Sequence, residues 1–131
     1  MGSEIERKFL VVGEGWRVGA RAAPCRQGYL AVGPPVAVRV RIMGGRATLN
    51  IKRAILDIER DEFEYPLPLE DAEALLARLC QGTVIEKTRY VTRYANLVWE
   101  VDVFEGANAG LVVAEVELDH AGQRVDLPPW V

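Results

Sequence analysis

The chain has 131 residues, half of them hydrophobic, enough for a single domain (1–131) with a substantial core and too few for two. Its net charge of −3 argues against a general nucleic-acid binder, because counterion-release binding needs a surplus of surface Lys and Arg. Two isolated cysteines, Cys25 and Cys80, and a single histidine, His120, exclude a thiolate zinc centre and a histidine-based hydrolase, so any metal must be held by carboxylates.

The amino terminus passes from Met1 into the charged run Glu4-Ile5-Glu6-Arg7-Lys8, and no apolar stretch has the length of a signal peptide or a membrane span. A cytoplasmic protein with no membrane partner is therefore expected. Alternation at period two predicts a first strand over 3–12, and a short helix is expected around Trp16–Ala22. Strands follow over 25–31, 36–43, 46–53 and 57–65, with Gly44-Gly45 as a tight hairpin turn. After Pro66 and Pro68, Ala72, Leu75, Leu76 and Leu79 recur at helical spacing, which predicts a helix from Glu70 to about Cys80 on the exterior. Strands over 84–94, 97–104 and 111–119 complete the chain, the last two joined by a longer loop, 105–110. The fold class is mainly β (α+β). Eight antiparallel strands suit a closed barrel with a few exterior helices.

The charged residues of these strands fall at alternate positions and so share one face of each. Glu4, Glu6 and Lys8 oppose Ile5, Phe9 and Val11; Arg39 and Arg41 oppose Val38, Val40 and Ile42; Lys52 opposes Leu49 and Ile51. Arg60, Glu62 and Glu64, then Lys87 with Arg89, Glu100 with Asp102, and Glu115 with Glu117 repeat the pattern. On any one strand this usually means a solvated outer face. Segregation into acid-pair and base-pair strands is odd for solubility alone, where mixed signs serve equally well. If the stripes instead face inward, dry burial would cost several kcal/mol per ion against a domain stability of about 5–15 kcal/mol, so the interior must be a hydrated tunnel prepared for a ligand. Basic strands would grip a polyanion, and glutamate pairs would hold hard divalent cations through oxygen.

From the Glu4-x-Glu6-x-Lys8 signature onward the sequence resembles the CYTH superfamily, the triphosphate tunnel metalloenzymes. The resemblance runs in order through Gln27-Gly28-Tyr29-Leu30, the pair Arg39 and Arg41, Leu49-Asn50-Ile51-Lys52 and Arg60-Asp61-Glu62-Phe63-Glu64-Tyr65. Lys87-Thr88-Arg89, Trp99-Glu100-Val101-Asp102-Val103-Phe104 and Ala114-Glu115-Val116-Glu117-Leu118 follow. It implies an eight-stranded tunnel with a charged lumen, in which Glu4, Glu6, Glu115 and Glu117, with Asp102, carry Mg²⁺ or Mn²⁺. Lys8, Arg39, Arg41, Lys52, Lys87 and Arg89 would bind the triphosphate. It further implies divalent-metal-dependent hydrolysis of a linear triphosphate, inorganic tripolyphosphate first, to phosphate and pyrophosphate. An adenylyl cyclase, a thiamine or nucleoside triphosphatase, and a non-catalytic polyphosphate- or nucleotide-binding module are the alternatives on the same fold. Family members continue past the segment matching Pro128-Pro129-Trp130 into a further strand and a terminal helix, so a fold incomplete at the carboxy terminus, or a shorter variant, is expected.

Lys8 with Tyr29 and Glu6 are the candidate catalytic residues, Tyr29 either reaching the lumen or packing its ring with its hydroxyl at the rim. Arg60, Glu62, Glu64 and Glu100 are tunnel-lining candidates; Glu62 and Glu64 fit metal binding or neutralisation of neighbouring arginines equally well. Trp16, Trp99 and Trp130 read as packing residues, Cys25 and Cys80 as small core residues, and His120 as exposed loop. Outward apolar stripes make a homodimer the expected assembly.

Overall fold

The computed structural model describes residues 2–33, 35–53 and 59–131, with the side chains of residues 2–4 and 59–60 outside that description. Its strands are β1 (Gly2–Leu10), β2 (Arg21–Ala31), β3 (Val36–Met43), β4 (Arg46–Arg53), β5 (Glu59–Leu67), β6 (Gln81–Tyr94), β7 (Leu97–Phe104) and β8 (Val112–Glu117). All pair antiparallel in the ring order β1-β5-β4-β3-β2-β6-β7-β8. The first half of β1, Gly2–Ile5, pairs with β5, and its second half, Glu6–Leu10, pairs with β8. The ring therefore closes without a further strand between β8 and β1.

Two tight turns set the register. Gly44 and Gly45 have φ of 59° and 80°, as the expected hairpin requires, and the unforeseen turn Ala95-Asn96 places both residues at positive φ, 49° and 65°. The loop before β8 folds into a one-turn 3₁₀ helix, Gly106–Asn108.

The expected helix is α1 (Leu69–Arg78), with Pro68 at its N-cap, Glu70 and Asp71 in its first turn and Arg78 in its last, all favourable to the helix dipole. It buries Ala72 and Leu76 against Val40, Ile42 and Ala47 on the outside of β3 and β4. At Gly28 on β2 a Cβ would stand 2.3 Å from Cys80 Sγ and 3.1 Å from Leu76 Cδ2, so only glycine lets this end of the helix approach the barrel. Arg26 on β2 pairs with Glu73 to tie the same contact.

The helix expected around Trp16–Ala22 is instead one 3₁₀ turn, Gly15–Arg17. Gly19 turns at φ 72° and β2 begins at Arg21, because residues 21–24 find partners on β6 that no local pattern announces. Trp16 from that turn and Trp130 from the carboxy-terminal segment cover Trp99, Val101, Ala114, Val116 and Leu118 on the outside of β7 and β8. Trp130 packs edge-on against Trp99 with ring centroids 5.5 Å apart, and Val12 N donates to Trp130 O at 2.8 Å. The apolar stripes thus lie on the outer wall, beneath two covers from the same chain, while the ionisable stripes turn inward. No helix among the described residues is long and apolar enough to cross a membrane.

Candidate functional site

The inward stripes enclose a cavity of about 760 Å³. β1 contributes Glu6 and Lys8, β3 Arg39 and Arg41, β4 Lys52, β5 Glu62 and Glu64, β6 Lys87 and Arg89, β7 Glu100, and β8 Glu115 and Glu117. Tyr29 from β2 also lines it, so of its two expected placements the lumen is the observed one. The backbones of Glu4 and Arg60 pair with each other across β1 and β5, but their side chains lie outside the described residues. His120 is exposed, Cys25 is buried, and all three tryptophans are buried in the outer core.

The lumen is not uniform. On β1 and β8, Glu6 opposes Glu117 and Lys8 opposes Glu115 in register. Lys8 Nζ stands 3.7 Å from a Glu6 oxygen and 3.8 Å from a Glu115 oxygen, so an ammonium group bridges two carboxylates of this wall. Lys52 Nζ lies 3.4 Å from Glu62.

On β6 and β7 the pairing is tighter. Arg89 donates from Nε and Nη2 to the two oxygens of Asp102 at 2.8 and 2.9 Å, a two-point fork, and Lys87 Nζ donates to Asp102 Oδ2 at 2.7 Å. Asp102 is 1% exposed. Burial works against its charge, but the bonds from Arg89 and Lys87 outweigh it and hold the carboxyl below its ordinary range. Burial likewise opposes the charge on Arg89, yet Asp102 and Glu100 more than reverse it and raise its affinity for the proton. Lys87 is shifted downward because its burial outweighs the attraction of Asp102. Glu100 is pushed up by burial, and Glu115 beside it adds repulsion that Arg89, 3.2 Å away, offsets only in part. Asp102, expected among the metal ligands, thus has both oxygens taken by cations in this structure.

The third arrangement is on β3. No carboxylate lies within ion-pair distance of Arg39 or Arg41 among the described residues. Arg39 is 9% exposed, its Nε has no hydrogen-bond partner among those residues, and burial followed by repulsion from Arg41 shifts it downward. Arg41 Nε donates instead to the neutral Gln27 Oε1 at 3.2 Å. Gln27 and Asn50, both buried, are site residues that reading the charges alone passes over. The parity rule could have found them, since Gln27 is two residues from Tyr29 and Asn50 two from Lys52. Among the described residues no group of three or more His, Cys, Asp or Glu side chains is gathered to hold a metal ion.

Comparison with known proteins agrees with this arrangement. The chain is 40% identical to an inorganic triphosphatase of Acetivibrio thermocellus over its whole length, which is 84% of that protein. Its fold is similar to the crystal structure of the inorganic triphosphatase NE1496, with a TM-score of 0.65 and 34% identity over 97% of this chain and 85% of that one. It also resembles the PH1012 protein of Pyrococcus horikoshii OT3, with a TM-score of 0.70 and 25% identity over 90% of this chain and 80% of the other. The CYTH domain profile matches residues 2–131, so a barrel that turns its charges inward and its apolar residues outward belongs, in this chain, to the CYTH domain family.

Proposed function

We propose that the chain hydrolyses a linear triphosphate, inorganic tripolyphosphate in the first place, to phosphate and pyrophosphate. The observation that carries this reading is the Arg39–Arg41 pair: two adjacent cations, one deeply buried, facing a charge-lined cavity with no acid within ion-pair distance among the described residues. Such a pair is costly unless an anion completes it, and phosphate oxygens match the guanidinium fork. The name of the Acetivibrio thermocellus relative, an inorganic triphosphatase, supports the same chemistry. Trp16, Trp99 and Trp130 lie in the outer core, so the aromatic side chains that line the lumen are Tyr29, Phe63, Tyr65 and Phe104.

The lumen also suits a divalent cation. Its donors are carboxylate oxygens, and the ammonium of Lys8 already occupies the space between Glu6 and Glu115, where positive charge is stabilised. Glu4, Glu6, Glu115 and Glu117 would hold Mg²⁺ or Mn²⁺, completed by waters and phosphate oxygens, and the bound ion would neutralise phosphate charge and acidify a water. Asp102 serves the site by fixing Arg89 and Lys87.

Hydrolysis forms a bond from a water oxygen to the terminal phosphorus and breaks the bond from that phosphorus to the bridging oxygen, which leaves on pyrophosphate. Arg39 and Arg41 bind and orient the chain of phosphates, and Lys52, Lys87 and Arg89, each paired with an acid, offer their remaining N–H groups along the wall. Lys8 and Tyr29 stand in the lumen as the groups able to orient the water, whose proton leaves to solvent or to the departing pyrophosphate. The test is phosphate release from tripolyphosphate with and without divalent metal, for the wild type and Glu6→Ala. Release should need the metal and fall at least about tenfold in the variant; metal-independent release, or an unaffected variant, overturns the reading.

A further inference from the structure

Among the described side chains, every base lining the lumen except Arg39 and Arg41 has an acid within ion-pair distance. For Lys8, Lys52 and Arg89 that acid is the direct cross-strand neighbour, respectively Glu115, Glu62 and Asp102. The neighbours of the β3 pair are of another kind. Arg41 stands between Gln27 on β2 and Thr48 on β4, and Arg39 between Tyr29 and Asn50. All four are polar and uncharged at neutral pH. The nearest acid along this row, Glu64, lies one strand further out, opposite Asn50, which donates from Nδ2 to its Oε2 at 2.7 Å. Thr48 Oγ1 in turn donates to Asn50 Oδ1 at 3.1 Å.

We propose that these four residues form a neutral frame that orients Arg39 and Arg41 without cancelling their charge, and that Gln27, whose carbonyl oxygen accepts from Arg41 Nε, is a positioning residue that sets the affinity for the triphosphate. A guanidinium held by a neutral acceptor keeps its full charge for the ligand, whereas one held by a carboxylate must first be released from it. The frame also keeps two like charges adjacent in the empty protein, a repulsion that binding relieves and that lowers stability until then. Affinity and stability should therefore move in opposite directions when an acid enters the frame.

The inference rests on the triphosphate reading, and the experiment separates the two. Binding of tripolyphosphate is measured by calorimetry in metal-free buffer with chelator, alongside the thermal midpoint of the unliganded protein and kcat and KM with metal. The proteins are the wild type, Gln27→Glu, Thr48→Glu and Gln27→Met. Gln27→Glu should bind about tenfold to a hundredfold more weakly, with KM raised more than kcat is lowered and the thermal midpoint unchanged or higher. Thr48→Glu, approaching Arg41 from the other side, should act in the same direction and covers the case in which the first variant does not fold. Gln27→Met removes the acceptor but adds no charge, so its loss of affinity should be smaller than that of Gln27→Glu. If the glutamate variants bind like the wild type, or lose affinity only together with thermal stability as Gln27→Met does, the frame is merely packing and the proposal falls. If the wild type itself does not bind tripolyphosphate, the triphosphate reading fails and takes the proposal with it.

Discussion

β3 and β6 each turn two bases at alternate positions into the lumen, Arg39 and Arg41 on one and Lys87 and Arg89 on the other, and the two pairs behave differently. On β6 the cations are locked to one buried carboxylate, Asp102, by three hydrogen bonds of 2.7–2.9 Å. On β3 they face uncharged neighbours, and one nitrogen of Arg39 is buried without a hydrogen-bond partner among the described residues. One pair spends its charge on the barrel wall and the other holds it ready for a ligand. A base-x-base motif on a barrel strand therefore does not say by itself whether it builds the protein or serves the substrate; the residue across the ladder decides.

The sharpest way to break the comparison is to remove the acid. Asp102→Asn leaves Lys87 and Arg89 buried beside a neutral amide, and should lower unfolding stability by about 3–5 kcal/mol in denaturant titrations. A loss under about 1 kcal/mol would mean that water already screens the cluster and that the two walls are alike.

The converse substitution comes next. Arg41→Met removes one of two repelling cations, so it should leave the thermal midpoint unchanged or raise it while weakening tripolyphosphate turnover by about tenfold to a hundredfold in kcat/KM. If stability falls as far as in Asp102→Asn, the β3 pair is structural after all.

Acid titration sharpens the contrast with a smaller effect. The folded-state pKa of Asp102 lies below its ordinary value, so the group stabilises the fold fully above the unfolded value of about 3.9, and the contribution is lost as pH falls through the depressed folded value. Glu100 is shifted the other way, so its ionisation costs stability as pH rises from the unfolded carboxylate value through its raised folded value. Urea midpoints between pH 2.5 and 6 should show the acid-side loss in the wild type, and that part of the slope should vanish in Asp102→Asn.

The smallest effect is a control outside the lumen. Ala95 sits at φ 49° in the β6–β7 turn, where glycine is at ease, so Ala95→Gly should stabilise by about 0.5–1 kcal/mol with turnover unchanged. A change in activity there would show that stability alone moves the readouts attributed to the lumen.

Much of the architecture was legible because its cause is local. Period-two alternation placed Glu6, Arg41, Lys52 and Glu117 on one face whatever the partner strand, and the spacing of Ala72, Leu75 and Leu76 marked α1 before its docking surface was known. The helix expected at Trp16–Ala22 failed where a distant partner took over, since residues 21–24 pair with β6. Asp102 illustrates the same limit within the site. Its parity was right, but nothing near it in the chain announces that Arg89 and Lys87, 13 and 15 residues away, take both its oxygens.

What the amino-acid order determined alone is therefore the two-faced character of each strand, the turns at Gly44-Gly45 and the amphipathic helix, because each follows from backbone geometry and neighbours a few residues apart. Only the tertiary structure decided which face turned inward and which acid met which base. Those outcomes depend on strand order and register, and on the covers that α1, Trp16 and Trp130 lay over the apolar wall, all set by contacts between distant parts of the chain.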